Sequence, residues 1–444
     1  MNTGTTRKRE VFSSRELISM LQDTRKRTLE LQADLSDEQL KTPLLSIINP
    51  PVWELGHVAW FQEKWALRHL CGLPSIRKDA DQLWDSAAVA HDTRWDLSLP
   101  SRKETLRYMQ DVLDCVLEGL ERQEATDQQA YFHWLAVMHE DMHGEAFTYT
   151  RHTLSYPAPR PNDAVVPPAA STSEEKPFRD IEIPEGAFLL GAERGEEFVF
   201  DNEKWCHPVD VGRFLIARTP VTNGEFTDFV NDGGYRQRRH WSDSGWFWKE
   251  GAAAQHPLYW TPDSSGKWLQ RHFNQIIPLE KDVALIHVNW HEAQAYCRWA
   301  GRRLPTEAEW EKAASAEPAP LGACSQTKRR FPWGDRPPSP ELAPLDANWI
   351  GCSPVSACKQ GESAFGCRQM IGNVWEWTAD AFQPYPGFVA DPYKEYSEPW
   401  FGGDYKVLRG GCWATRSRLI RNTWRNFYTM DRRDVFAGFR TCAL

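Results

Sequence analysis

The sequence predicts an α+β protein of two domains, a four-helix bundle followed by a loop-rich domain of short strands. Three observations predict it. Apolar residues recur at helical spacing across 10–155. Six prolines with small residues fill 156–178, the composition of an extended linker. From 179 onward the pattern breaks into short strand-like pieces punctuated by Gly and Trp. A chain of 444 residues also exceeds what one hydrophobic core usually supports. The domain limits therefore read as 1–155, 156–178 and 179–444.

The first element is a helix over 13–34, opened by the capping box Ser13-x-x-Glu16. A second, strongly apolar helix covers 51–71. Ser101-x-x-Glu104 is another capping box and opens a helix over 101–122. A fourth helix covers 127–154. Helices of this length pack as a bundle, and bundle cores are common places for metal sites built from facing helices. In the second domain 222–232 and 290–300 read as helices. Thr306-x-x-Glu309 caps a third over 306–314. No internal repeat, heptad array or phosphate-cradling glycine loop is present.

Composition narrows the function. Hydrophobic and charged contents of 41% and 25% are ordinary for a soluble domain. A net charge of −9 without a dense Lys/Arg block argues against nucleic acid or an anionic membrane as partner. No run of 18 apolar residues exists, and the first twelve residues lack the apolar core of a signal peptide. The reading is a cytoplasmic protein with reduced thiols. The spacing of its ten cysteines fits neither a zinc ribbon nor a disulfide scaffold.

Three histidines carry the chemistry. His57 lies in the aromatic run from Trp53 to Phe61, with those two residues at i−4 and i+4. His139 and His143 are one helical turn apart and share a face. An i, i+4 pair is often merely solvated. Here Leu135, Met138, Met142 and Ala146 mark the same face as inward. Buried imidazoles without a partner cost free energy. Three of them on two packed helices would hold a metal and leave coordination positions open for chemistry. Zinc, iron, copper and nickel all accept imidazole, so the residues leave the metal open. His69, His133 and His152 read as ordinary. The segment also spells H-E-x-x-H with Glu140 as the general base of a zinc protease. The usual downstream ligand pattern is missing, because Gly144 directly follows His143.

In the second domain five segments stand out: Arg303 to Trp310, Phe331 to Asp335, Gly372 to Thr378, Leu408 to Gly411, and Ala437 to Arg440. On physics alone they are turns held by aromatic packing. In this order they resemble the formylglycine-generating-enzyme/sulfatase-modifying-factor fold, a C-type-lectin-like domain. The surroundings of Cys412 lack the cysteine pair with which formylglycine-generating enzymes hold copper. The first domain resembles the DinB-like metal-binding four-helix bundle. The fusion resembles the iron-dependent sulfoxide synthases of ergothioneine biosynthesis and the related selenoneine synthases. The stretch from Asp85 to Trp95 looks most like the selenoneine branch.

This resemblance implies Fe(II) on His57, His139 and His143. It implies O₂ as co-substrate and hercynine as substrate, with a carbon–sulfur or carbon–selenium bond formed at imidazole C2. A structural Ca²⁺ in the lectin-like domain is left open. The family's Arg-Asn-Trp-Asp segment matches Arg425-Asn426-Phe427-Tyr428, so Asn426 inherits the hercynine contact and Phe427 the aromatic one. Tyr428 stands where the family's Asp contacts γ-glutamylcysteine, which favours a less charged donor such as a selenosugar. Trp413 and Trp424 are offered for stacking on a sugar face. Arg94 is a candidate donor contact, and Met142 replaces a glutamine that contacts the betaine. Tyr385 matches the family's proton-donating tyrosine, with Tyr428 as its substitute. The competing expectations are a small-molecule-binding module with a structural metal, and a DinB-type zinc-dependent thiol transferase.

Overall fold

The computed structural model describes residues 12–160, 180–196, 198–320 and 324–444. It divides into two compact units. The first runs to Leu154 and also takes in Gly195–Phe198; the second contains Val199–Leu444 and the strands before it. The proline-rich linker expected over 156–178 lies, from residue 161 onward, outside the described residues.

The first unit is built on four long helices: α1 (Ser14–Glu30), α2 (Pro51–Gln62), α4 (Arg102–Arg122) and α5 (Asp127–Thr153). A short α3 (Ala80–Trp84) lies between the second and third of these. The capping boxes at Ser13 and Ser101 both form, and Thr126 with Gln129 makes a third. Helix α2 continues through a π-helical segment, Glu63–His69. Widened turns of this kind are rare and often mark functional sites. Helix α1 stops at Glu30, short of the expected residue 34. Helices α2 and α5 are buried on nearly every side, Trp53 and Phe147 being no more than 1% exposed.

In the second unit β1 (Asp180–Ile183), β4 (Phe214–Ala217), β15 (Cys442–Ala443) and β8 (Arg302–Arg303) form one sheet in the order β1-β4-β15-β8. A second sheet has the order β13-β12-β11-β14, from Arg425–Thr429, Tyr405–Arg409, Trp375–Ala381 and Ala437–Gly438. Helices α6 (Asn223–Asn231), α8 (Trp290–Trp299) and α9 (Glu307–Ser315) all open on complete capping boxes. The core packs Ile183, Phe188, Phe214, Ile216, Trp310 and Cys442 together. Buried ion pairs brace it. Arg440 bonds both carboxylate oxygens of Glu376, at 2.6 and 2.8 Å, and Trp310 Nε1 donates to one of them at 2.7 Å. Gly410 has φ +97°, and a Cβ there would lie 2.5 Å from the Met370 carbonyl, so that turn requires glycine. All ten cysteines are free thiols.

Candidate metal centre

Helix α2 supplies His57, and α5 supplies His139 and His143. One ligand atom from each lies within 4.8 Å of the others. Among the described residues this is the one group of three or more His, Cys, Asp or Glu side chains placed to hold a metal. His57 and His139 are 3% exposed, and His143 is half-buried.

The Nδ1 atoms of two of the three rings are already committed. Nδ1 of His57 lies 2.8 Å from the main-chain oxygen of Trp84, and Nδ1 of His143 bonds a carboxylate oxygen of Glu54. Both contacts place the proton on Nδ1 and leave the Nε2 lone pair for a metal, the usual arrangement behind ligating histidines. His139 is fixed by stacking on Phe61, with centroids 3.6 Å apart and planes 5° from parallel. Burial pushes His57 and His139 well below the ordinary histidine pKa, and neighbouring His143 adds to the shift. They are therefore neutral, the form that binds metals. Two buried imidazoles and a third, half-buried one, converging from two helices, fit a divalent transition metal.

The support of the site comes from residues that the sequence reading missed. Glu54 is 1% exposed and is the one carboxylate of the mostly apolar helix α2. A buried carboxylate one turn before a histidine was the available signal. Gly56 was not singled out either. A Cβ there would fall 2.1 Å from the Trp84 indole, so the glycine lets α3 close onto α2 and bring the Trp84 carbonyl to His57.

Glu140 points elsewhere. Arg25 donates to it through Nε at 2.9 Å and Nη2 at 3.2 Å, and the pair is buried. Its carboxylate serves α1, so it is not the free general base that the H-E-x-x-H reading requires. Arg94 was expected to reach a donor. The structure lays its guanidinium 4.0 Å from the Trp53 ring centroid, bonded to Asn49 Oδ1 at 2.5 Å and the Val89 carbonyl at 3.3 Å. Met142 is half-buried on α5, next to His143.

In the second unit β13 carries Asn426, Phe427 and Tyr428. Asn426 stands opposite Leu408 and Tyr428 opposite Lys406, while Phe427 pairs with Val407. Successive strand residues face opposite sides. Asn426 and Tyr428 thus share a face and Phe427 leaves from the other, stacked on Phe382 at 4.0 Å. Asn426 and Phe427, both expected at the substrate, thus leave β13 on opposite faces. Tyr385 lies in the core, its hydroxyl donating to Glu307 at 3.2 Å and the Arg425 guanidinium 4.1 Å from its ring. Burial raises its pKa well above the ordinary phenol value. Tyr428 is half-buried. Trp413 and Trp424 are 1% and 4% exposed, packed on Phe436 and Trp375, which removes them as sugar-stacking surfaces.

Fold and site together define a DinB-type bundle with a three-histidine centre, joined to a sulfatase-modifying-factor-like domain. Family models agree. Residues 20–152 match the DinB superfamily and 166–443 the sulfatase-modifying factor enzyme 1-like domain. The chain is 37% identical over 434 residues to the hercynine oxygenase of Mycolicibacterium thermoresistibile, covering 96% of this chain and 94% of that one. It is 36% identical to the hercynine oxygenase of Mycobacterium tuberculosis, covering 96% and 98%. The formylglycine-generating enzyme of Streptomyces coelicolor is 30% identical over 65% of this chain and 96% of its own. The chain belongs to the hercynine oxygenase family. Among the described residues no helix is long and apolar enough to cross a membrane.

Proposed function

We propose that this protein is a non-heme iron enzyme that uses O₂ to form a carbon–selenium or carbon–sulfur bond at imidazole C2 of hercynine. The observation that carries the reading is the converging histidine triad, in a chain alike over nearly its whole length to hercynine oxygenases. His57, His139 and His143 would hold Fe(II) through Nε2, and iron bound there supplies the activation of O₂. The protein's own contribution is orientation. Trp84 and Glu54 each keep a proton on Nδ1 and stop one imidazole from turning. Trp53, Trp60 and Phe61 exclude water from the ligand rings.

Asn426 is our hercynine contact. Tyr428 is our proton donor, because the Tyr385 hydroxyl is committed to Glu307 inside the core. For the donor we place a selenosugar first and a cysteine-type thiol as the alternative. Tyr428, neutral where the resemblance expects a carboxylate, supports that order. Losing one charge-assisted hydrogen bond costs about 1.5–3 kcal/mol, roughly ten- to a hundredfold in affinity for an aminated donor. A competition assay tests it: the Fe(II) protein, hercynine and O₂ with equal selenosugar and γ-glutamylcysteine. Dominant carbon–selenium product supports the proposal, and preferential coupling of γ-glutamylcysteine overturns it.

A further inference from the structure

We propose that Arg94 and Lys64 are positioning residues of the metal centre: two cations cap a stacked column of rings with His57 in its middle, and they favour the Fe(II) state of a bound iron. The proposal rests on the reading of the triad as an iron site.

The column is built by spacing. Trp53, His57, Trp60 and Lys64 follow one another by four, three and four residues, which keeps them on one stripe of α2 and its π-helical continuation. Trp53 and His57 stack with centroids 4.8 Å apart and planes 12° from parallel. His57 and Trp60 follow at 5.7 Å and 23°. The Arg94 guanidinium closes one end, 4.0 Å from the Trp53 centroid, and Lys64 Nζ the other, 4.6 Å from Trp60.

One short segment holds the three rings and Lys64. Trp60 Nε1 donates to Asp81 at 2.7 Å, and Trp53 Nε1 donates to the Leu83 carbonyl at 2.6 Å. His57 Nδ1 bonds the Trp84 carbonyl at 2.8 Å, and Lys64 pairs with Asp85 at 3.3 Å. Residues 81–85 therefore act as a rail that fixes the height and tilt of the column.

A cation over a ring face is attracted by the ring's electron density and polarises it. Here the polarised stack ends on a ligating imidazole. Fe(III) carries one positive charge more than Fe(II), so nearby fixed cations raise the energy of the oxidised state more, and the buried one is screened least. The two ends differ. Lys64 is offset by its direct pairing with Asp85. Arg94 makes its hydrogen bonds to neutral acceptors, and Glu54, the carboxylate in its electrostatic reach, is bonded to His143. Arg94 is also the closer cation to its ring.

The test is a spectroelectrochemical titration of the full-length iron protein. Arg94→Met and Lys64→Met should each lower the Fe(III)/Fe(II) midpoint potential at unchanged iron stoichiometry, with Arg94→Met lowering it further. The charge-conserving variants Arg94→Lys and Lys64→Arg should stay near wild type. A wild-type midpoint in Arg94→Met, or an equal fall in Arg94→Lys, overturns the inference while leaving the iron reading intact. A wild-type protein that takes up no redox-active iron overturns both. If Arg94→Met does not fold, Lys64→Met decides alone, since Lys64 is 33% exposed, and an unchanged midpoint there overturns the inference.

Discussion

His57 Nδ1 lies 2.8 Å from the main-chain oxygen of Trp84. A carbonyl oxygen only accepts, so the imidazole carries its proton on that side and offers Nε2 to the bundle interior. One hydrogen bond between a long helix and a short one thus sets the chemical state of a ligand.

Gly56 makes that bond sterically accessible. Gly56→Ala would drive a methyl group into the Trp84 ring, and overpacking of this kind costs about 1–3 kcal/mol. The variant should melt earlier and bind Co(II) or Fe(II) more weakly. Gly119→Ala is the control: it lies inside α4 with nothing within 4 Å of its Cβ position, and should gain roughly 0.5–1 kcal/mol. Equal behaviour of the two variants would refute the role given to Gly56.

Glu54 should act through His143. Glu54→Leu removes the acceptor, and losses of such outer partners typically cost about 10–100-fold in metal affinity. Glu54→Gln retains an acceptor for Nδ1–H and should lose less. Metal titration followed by optical absorption separates the two; an unchanged affinity in Glu54→Leu would count against the tautomer argument.

Glu140 should matter for stability and not for chemistry. Glu140→Ala leaves Arg25 buried without its carboxylate, which typically costs about 3–5 kcal/mol. Thermal melts should show that loss. A variant of wild-type stability that has lost turnover would restore the general-base role.

Asp201 gives a pH signature in the second unit. Burial raises its pKa from the ordinary 3.8 to about 6, although Ser397 Oγ donates to it at 2.5 Å. The folded state therefore binds a proton that the unfolded chain has released between about pH 4 and 6, so stability falls as pH rises through that window. A shift of this size amounts to roughly 2–3 kcal/mol. Asp201→Asn removes the titration. Denaturant midpoints at pH 4.5 and 7 should show the variant gaining on wild type at the higher pH, and a constant difference would contradict the assignment.

Much of this was legible in the sequence. The triad showed in its spacing, since His139 and His143 share an inward helical stripe and His57 sits inside an aromatic run. Capping boxes at Ser13, Ser101 and Thr306 marked three helix starts to within a residue. The partners of the ligands were not legible. Trp84 contributes a main-chain carbonyl, which no side-chain identity encodes, and α3 has five residues, too few for a helical period to show. The burial of Trp413 and Trp424 also escaped, because a tryptophan looks the same in sequence whether it fills a core or faces a ligand. The divergence of Asn426 and Phe427 was open to reasoning once 425–429 was taken as a strand.

The most direct test of the account is iron stoichiometry and aerobic turnover of hercynine in His57→Ala, His139→Ala and His143→Ala, beside His69→Ala. A three-ligand site has no spare ligand, so each of the first three should lose both iron and product, while His69→Ala keeps both. A His57→Ala protein with full iron and full activity would contradict it.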